Sequence, residues 1–213
     1  MTTLILIRHG ESEANEKNIY IGQTDADLTE RGKLQAQLTA KYVTQNYHVD
    51  AVYGSDLQRA FKTGKAVADL LNMEIQPRKG LREINAGKWE EIPFDDLETQ
   101  FAKEYSVWLS DIGNAACVGG ESVREMAKRV LAAITEIARE NDGKTVVLAT
   151  HATPIRAMMC LWKGLTLNEM KDVPWVNNAS VTIVEYERGT YRVVQTGEDG
   201  HLEGLRTVLP DNV

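Results

Sequence analysis

Two uninterrupted apolar runs, residues 3–7 and 145–149, constrain the fold more than any other feature of this chain. Both consist of β-branched residues, leucine and alanine, without the polar alternation of a half-exposed strand. Each run is therefore predicted to be a strand buried on both faces. Shorter strands are predicted at residues 51–53 and 74–76, and helical segments separate the strands. This alternation predicts an α/β fold, a three-layer α/β/α sandwich around a mostly parallel sheet.

Capping residues and turn signals predict where the helices begin and end. Thr29 is the N-cap candidate for a helix that ends near Asn46, and Leu34, Leu38 and Tyr42 lie at helical spacing within it. Further elements are predicted as helices at residues 56–71, 122–140 and 154–163, and as a closing hairpin at residues 181–186 and 191–195. The helix at residue 122 opens on a capping-box pattern of serine followed three positions later by glutamate.

One stretch of the chain does not follow the alternation. Residues 81–120 are aromatic, acidic and irregular, with Pro93 and a pair of glycines at positions 119 and 120. We interpret residues 84–120 as a small helical cap or lid inserted into a single domain that spans residues 1–213.

Composition excludes several classes of function. The formal net charge of −7 argues against a nucleic-acid surface, which would be basic. No stretch approaches the roughly 20 apolar residues that span a bilayer, and the N-terminus lacks the pattern of a signal peptide. Cys117 and Cys160 have no partner spacing and are expected to be reduced. A cytoplasmic protein is predicted.

Polar and cationic side chains follow three of the predicted strands. The first strand runs into Arg8 and His9, and the strand at residues 145–149 runs into His151. The strand at residues 51–53 leads to a helix whose first turn holds Arg59. Ligand sites in such folds form at the carboxyl ends of the strands. Clustered cations are costly without an anion between them, and arginine matches phosphate oxygens bidentately, so a phosphate site is predicted here. The N-terminus of the helix after residue 55 is expected to add amide donors.

The chemistry of this predicted site has competing interpretations. Paired histidines also bind metals, but two adjacent arginines would repel a cation, so no metal or cofactor is predicted. Glu83 supplies a carboxyl group where the cap begins, and its pKa should rise near phosphate, as a general acid requires. The alternative is a surface glutamate paired with Arg82. His48 and His201 lie in polar contexts and are interpreted as surface residues.

Five segments together resemble the histidine phosphatase superfamily, also called phosphoglycerate mutase-like. They are LIRHGESEAN, IGQTDADLTERG, GSDLQRAFKTG, LREINAGKWE and THATPIRAM. Their order and spacing match the family from residue 4 to about residue 160. The resemblance implies the phosphoglycerate mutase-like fold and phosphoryl transfer without a cofactor.

The resemblance also implies a role for individual residues. His9 would be the nucleophile and would form a phosphohistidine. Glu83 would protonate the leaving oxygen and then activate water. The residues that would hold the phosphoryl group are Arg8, Arg59, His151, Asn15 and the backbone near Gly22. We expect a hydrogen bond from the other ring nitrogen of His9 to an acceptor such as a backbone carbonyl, which would fix its tautomer.

Within the family, the cap favours a phosphatase over a mutase. A mutase holds a second anionic group with arginines in its cap, whereas no arginine lies between Glu83 and Arg124. The cap instead carries acidic residues, which are expected to disfavour bisphosphates: Glu90, Glu91, Asp95, Asp96, Glu98 and Glu104. It also carries aromatic residues, which either face the leaving group or pack the cap: Trp89, Phe94, Phe101, Tyr105 and Trp108.

The predicted function is therefore that of a histidine acid phosphatase-type phosphomonoesterase, metal-independent and acting on small phosphate monoesters through a phosphohistidine. Two alternatives stay open, a cofactor-dependent phosphoglycerate mutase and a non-catalytic phosphate-binding relative. The expected partner is a small-molecule phosphate monoester, with neither nucleic acid nor membrane, and a homodimer is possible. Glu91 departs from the family, in which many members have glycine after Trp-Glu, and this is expected to alter the cap turn.

Overall fold

The fold is built around a six-stranded mixed sheet. A computed structural model of the chain describes residues 1–208. Its strands are β1 (Thr2–Arg8), β2 (Ile19–Tyr20), β3 (Ala51–Gly54), β4 (Ile75–Pro77), β5 (Ile92–Pro93), β6 (Thr145–Thr150), β7 (Val181–Glu187) and β8 (Thr190–Glu198). Its α-helices are α1 (Glu13–Glu16), α2 (Glu30–Asn46), α3 (Gln58–Leu70), α4 (Phe94–Gln100), α5 (Ala102–Ser110), α6 (Val123–Glu140) and α7 (Ala152–Trp162).

The strand order is β4-β3-β6-β1-β7-β8, and the first four of these strands are parallel. Strand β1 lies inside the sheet, parallel to β6 and antiparallel to β7. The hairpin of β7 and β8 completes the sheet on one side. The predicted sheet of mostly parallel strands is confirmed, because the two apolar runs occupy its interior.

Successive side chains of β1 pack alternately into two hydrophobic cores, one on each face of the sheet. Ile5 and Ile7 pack with residues of α2 and α3 on one face of the sheet. Leu4 and Leu6 pack with α6, α7 and the cap segment on the other face. All four are at most 1% exposed. This two-sided burial requires a strand without polar alternation, and it confirms the three-layer α/β/α sandwich.

The predicted helix starts agree closely with the structure where a capping residue marks them. The Thr29 hydroxyl oxygen accepts the Gly32 amide at 3.0 Å, and α2 begins one residue later. Ser122 and Glu125 form the expected capping box at the start of α6. The apolar residues at helical spacing do not form the buried face of α2, however. Leu34 is 49% exposed, because the small residues of this helix, such as Ala36, face the sheet instead.

The segment predicted as a cap forms β5, α4 and α5 with short 3-10 turns beside them. It is tied to the N-terminal part of the chain by the antiparallel pairing of β2 with β5. Trp89 and Leu97 of this segment are fully buried in the same core as Leu4 and Leu6. The cap therefore packs continuously onto the sheet.

Replacing Glu91 with glycine is expected to stabilise the protein by about 1 kcal/mol, because Glu91 adopts a left-handed backbone with φ of 64°. Its amide donates to the Tyr20 carbonyl at 2.9 Å, so the β2–β5 connection holds this strained conformation. Urea unfolding of Glu91→Gly and of the matched control Glu91→Ala would measure the effect. The alanine variant keeps the Cβ atom and should show no gain. An equal gain in both variants would contradict the backbone explanation.

Other sequence predictions concern the cysteines, the histidines and the membrane. Cys117 and Cys160 are both free and buried. The His48 side chain is 90% exposed, as predicted. The prediction for His201 was wrong, because its ring is half-buried, stacks on Tyr42 with centroids 4.7 Å apart and lies 2.9 Å from the Thr39 hydroxyl. Within residues 1–208, no helix is both long and apolar enough to cross a bilayer.

Candidate active site

Three neighbouring strands bring the predicted site residues to one edge of the sheet. Strands β3, β6 and β1 are adjacent, and Arg8 on β1 pairs with Thr150 on β6. His9 and His151 follow directly, and their ring centroids lie 5.2 Å apart. Ser55 follows β3, and its hydroxyl lies 2.9 Å from Nε2 of His151. The topology thus produces the convergence that the strand ends predicted.

The ring of His9 is held in a single tautomer. Its Nδ1 donates to the Gly10 carbonyl at 2.7 Å, so the lone pair resides on Nε2. Burial, together with the charges of Arg59 and Arg8, lowers the pKa of His9 well below its usual value. The predicted tautomer-fixing bond is present, and its acceptor is the next residue in the chain. A neutral imidazole with a free Nε2 is the form that a nucleophile requires.

Two buried guanidinium groups flank His9. Arg8 donates from Nη1 to the Val176 carbonyl at 2.7 Å. Arg59 donates to the carbonyls of Gly22 at 2.7 Å and Thr24 at 3.1 Å. Both are 1% exposed, and burial lowers the pKa of each to about 10. Neither Nε has a partner among the described residues, so both groups have hydrogen-bonding capacity left for an anion.

His151 is fully buried next to His9 and is not among the residues that line the pocket. The Ser55 hydroxyl accepts the Leu57 amide at 3.3 Å, and its proton is available to Nε2 of His151. Nδ1 has no partner within the described chain. Burial and the charges of Arg59 and His9 lower the pKa of His151 well below its usual value.

The carboxyl group of Glu83 is buried in the lining of the same pocket. Oε1 accepts the Ile84 amide at 2.8 Å and Oε2 accepts the Thr153 amide at 3.2 Å. Glu83 is 7% exposed, and burial raises its pKa although these amides oppose the shift. It does not pair with Arg82, which forms a bidentate ion pair with Asp56 instead. Glu83 thus has the environment of a general acid.

Asn15 and Gly22 occupy different positions relative to the pocket. Asn15 lines it, and Oδ1 of its side chain accepts from Ser12 and from Asn178 at 3.2 Å. Gly22 is not among the lining residues, and its amide donates to Glu90 at 2.9 Å. The Gly22 amide is therefore already used, and the contribution of this residue is its carbonyl, which orients Arg59.

The predicted amide donors at the start of α3 are also already engaged. The helix begins at Gln58 rather than near residue 56, and the Gln58 amide donates to Asp25 at 2.8 Å. The Leu57 amide donates to Ser55. The sequence could not reveal that Asp25, from a distant loop, caps this helix. The N-terminus of α7 also lines the pocket, through Ala152 and Thr153.

The pocket is a narrow cavity of about 50 Å³. Its lining residues are Arg8, His9, Ser12, Asn15, Ile19, Tyr20, Ile21, Arg59, Glu83, Phe94, Trp108, Ala152, Thr153 and Trp175. This lining combines polar and charged side chains, such as Arg8, His9, Arg59 and Glu83, with aromatic ones, such as Tyr20, Phe94, Trp108 and Trp175. This volume suits a phosphoryl group with a small substituent, since drug-sized pockets are several times larger.

The cap contributes to the pocket in a different way from that predicted. None of the acidic cap residues lines it, and Glu90 instead accepts backbone amides of residues 22–24. The expected acidic wall against bisphosphates was therefore wrong. The aromatic residues divide between the two interpretations. Phe94 and Trp108 line the pocket, whereas Trp89 and Tyr105 pack in the core.

Residues after α7 contribute to the site although the sequence gave no signal there. Trp175 lines the pocket, and the Val176 carbonyl holds Arg8. The Asn178 side chain donates to the His9 carbonyl at 3.0 Å. These residues belong to an irregular segment without periodicity, so only the pairing of β7 with β1 brings them to the strand ends.

The arrangement defines a class of protein: an α/β phosphoryl-transfer fold with a histidine nucleophile candidate between buried arginines. Comparison with known families agrees with this class. The chain belongs to the histidine phosphatase superfamily (branch 1), whose family model matches residues 4–199.

Several relatives of known name cover almost the whole chain. Phosphoserine phosphatase 1 of Hydrogenobacter thermophilus is 31% identical over 202 residues, which is 95% of each chain. The solved structure of Bacillus stearothermophilus YhfR has a TM-score of 0.90 at 29% identity, covering 95% of this chain and 100% of the other. A phosphoserine phosphatase of Entamoeba histolytica, solved with 3-phosphoglyceric acid, has a TM-score of 0.82 at 28% identity, with coverages of 95% and 100%. Family and relatives together support phosphatase activity.

Proposed function

We propose that the protein is a metal-independent phosphomonoesterase that hydrolyses small phosphate monoesters through a phosphohistidine. The observation that carries this proposal is the His9 ring, whose Nδ1 donates to the Gly10 carbonyl, which leaves the Nε2 lone pair for attack in the pocket that Arg8 and Arg59 also line. Phosphoryl transfer depends mainly on positioning and on stabilising charge. Two buried guanidinium groups and the His151 ring supply that stabilisation without a metal ion.

The proposed reaction has two displacement steps. Nε2 of His9 attacks phosphorus, the bond from phosphorus to the ester oxygen breaks, and the proton of Glu83 goes to the leaving oxygen. Water then attacks phosphorus, and the carboxylate of Glu83 takes its proton as the bond to Nε2 breaks. Arg8, Arg59 and His151 hold the phosphoryl oxygens in both steps. The lowered pKa of His9 and the raised pKa of Glu83 widen the pH range in which His9 is neutral while Glu83 is protonated, as this reaction requires.

The runner-up, a phosphoglycerate mutase, needs a place for a second anionic group. Arg8 and Arg59 are the only cationic arginine or lysine side chains among the residues that line the described pocket. The proposed reaction uses both to hold the transferred phosphoryl group, which leaves no arginine or lysine of the lining for a second anionic group. This distribution of charge supports a phosphatase.

Phosphate release from a panel of monoesters in the presence of EDTA tests the proposal. The panel would contain p-nitrophenyl phosphate, glycerol phosphate, phosphoserine and 3-phosphoglycerate, and a mutase assay with added 2,3-bisphosphoglycerate would run beside it. Release that EDTA does not affect is the expected result. Isomerisation faster than release would favour the mutase. The absence of both phosphate release and isomerisation would favour a non-catalytic phosphate-binding protein.

The cellular setting is also a proposal. We propose that residues 1–213 form a single domain that acts in the cytoplasm, where free thiols such as those of Cys117 and Cys160 stay reduced. The shared core of cap and sheet supports the single domain. The homodimer stays a prediction, which light scattering would check.

A further inference from the structure

An ion pair outside the pocket forms hydrogen bonds with the backbone on both sides of Glu83. Arg129 on α6 and Glu121 just before this helix form a bidentate pair, with Nε–Oε1 and Nη2–Oε2 distances of 2.9 and 2.8 Å. Their side chains are 25% and 22% exposed. Neither residue lines the pocket, and the proposed reaction uses neither.

The remaining N–H groups of Arg129 point to the backbone that precedes the general acid. Nη1 donates to the carbonyls of Gly80 at 3.1 Å and Arg82 at 3.0 Å. Nη2 donates to the carbonyl of Glu83 itself at 3.0 Å. A single guanidinium group thus donates hydrogen bonds to three carbonyls within four consecutive residues, 80–83. Arginine can do this because its donors form a rigid planar fork.

Glu121 holds the same segment from the other side. Its Oε2 accepts the Asn85 amide at 2.8 Å, and its own amide donates to the Asn85 carbonyl at 2.9 Å. Burial opposes ionisation of Glu121, but the bonds from Arg129 and Asn85 outweigh it and lower the pKa of this carboxyl. Glu121 is therefore held as the anion that Arg129 requires.

This segment has little regular structure of its own to fix it. Residues 82–86 belong to neither a helix nor a strand. Gly80 lies against α6 so closely that an added Cβ atom would come within 2.5 Å of the Ala133 Cβ atom. The backbone that carries Glu83 is thus held on α6 by the arginine fork and by this close contact.

We infer that Arg129 and Glu121 are positioning residues that keep the Glu83 carboxyl group at the leaving-group side of the pocket. This inference rests on the proposed function for its kinetic consequence. If the fork is lost, the backbone of residues 80–85 loses its anchor and the carboxyl group no longer meets the leaving oxygen. Phosphoryl binding by Arg8 and Arg59 would be much less affected. Other parts of the chain hold these two side chains, through the carbonyls of Gly22, Thr24 and Val176.

The choice of leaving group distinguishes a loss of proton donation by Glu83 from a loss of phosphoryl binding. p-Nitrophenolate departs without a proton, whereas the alkoxide of glycerol phosphate needs one, so only the second ester requires Glu83 in place. In Arg129→Gln, kcat/KM for glycerol phosphate is expected to fall at least about tenfold more than kcat/KM for p-nitrophenyl phosphate. Arg129→Lys keeps the charge but loses the fork, and should fall between wild type and Arg129→Gln.

A matched control lies on the same helix. The Arg139 side chain donates to the Tyr186 hydroxyl at 3.2 Å and, within residues 1–208, lines no part of the pocket. Arg139→Gln should leave the ratio of the two kcat/KM values unchanged. Equal losses on both esters in Arg129→Gln, or no loss at all, would overturn the inference. If this variant does not fold, Arg129→Lys and Glu121→Gln carry the same comparison.

A second readout separates this inference from the proposed function. If the wild-type protein releases no phosphate from any ester, the proposed function fails, but the position of Glu83 is still measurable. Carbon-13 NMR of labelled glutamate would follow its titration. The raised pKa of Glu83 should move toward the usual value in Arg129→Gln and stay raised in Arg139→Gln. An unchanged titration in Arg129→Gln would overturn the inference.

Discussion

Replacing His9 with alanine is expected to abolish phosphate release, with kcat falling by at least about 10⁴-fold. The physical reason is that Nε2 of His9 is the atom that forms the bond to phosphorus in the proposed reaction. The buried arginines hold an oxyanion but present no lone pair to attack it. Steady-state phosphate release from p-nitrophenyl phosphate at several pH values would measure the loss.

A covalent intermediate gives this prediction a second measurement. Rapid quenching of the wild-type protein with radiolabelled substrate should trap a phosphoprotein that acid cleaves and alkali leaves intact, as a phosphoramidate does. His9→Ala should not form it. His48→Ala is the matched control, since the His48 side chain is 90% exposed and lines no part of the pocket. Near-normal release by His9→Ala, or a label that survives acid, would contradict the assignment of the nucleophile.

The second large effect concerns Glu83 and depends on the leaving group. In Glu83→Gln, kcat/KM for glycerol phosphate is expected to fall by about 10²–10⁴-fold, the usual contribution of a general acid. The value for p-nitrophenyl phosphate should fall far less, because its leaving group departs as an anion. The ratio kcat/KM is the correct quantity, since it reports the step in which the ester bond breaks. Equal losses on both esters would count against the acid role.

The pH dependence follows from the two shifted pKa values. His9 must be neutral, so kcat/KM for glycerol phosphate should rise as the pH increases through the lowered pKa of His9. Glu83 must be protonated, so kcat/KM should fall as the pH increases through the raised pKa of Glu83. In Glu83→Gln, that alkaline limb should disappear while the acid limb stays. A persistent alkaline limb would assign it to another group.

Much of the site follows from the sequence because it lies at strand ends. A buried strand is recognised by its composition, and the residues that follow it must emerge at the edge of the sheet. Arg8, His9 and His151 could therefore be placed in one region before the structure was known. Glu83 was predicted from its position in the segment LREINAGKWE, which resembles the family. Its separation from Arg82 could not be predicted, because Asp56 comes from another strand end.

Two features of the chain show how long-range partners decide the orientation of side chains. The sequence indicates that α2 is a helix, but the side it buries depends on the sheet, which accepts its small residues and leaves Leu34 exposed. The acidic cap residues predict a charged surface, but Glu90 turns to the backbone amides of residues 22–24. In both cases a long-range partner decides the orientation.

The sequence alone determined the layer structure, the strand ends and the chemical types that meet there. These properties depend on local periodicity and on the burial of β1 and β6, which neighbouring residues encode. Only the tertiary structure decided which groups hold the reacting side chains. Trp175, Val176 and Arg129 come from segments far along the chain, and their contacts depend on the register of β7 against β1 and on the packing of α6. Such contacts arise between surfaces, so no local pattern specifies them.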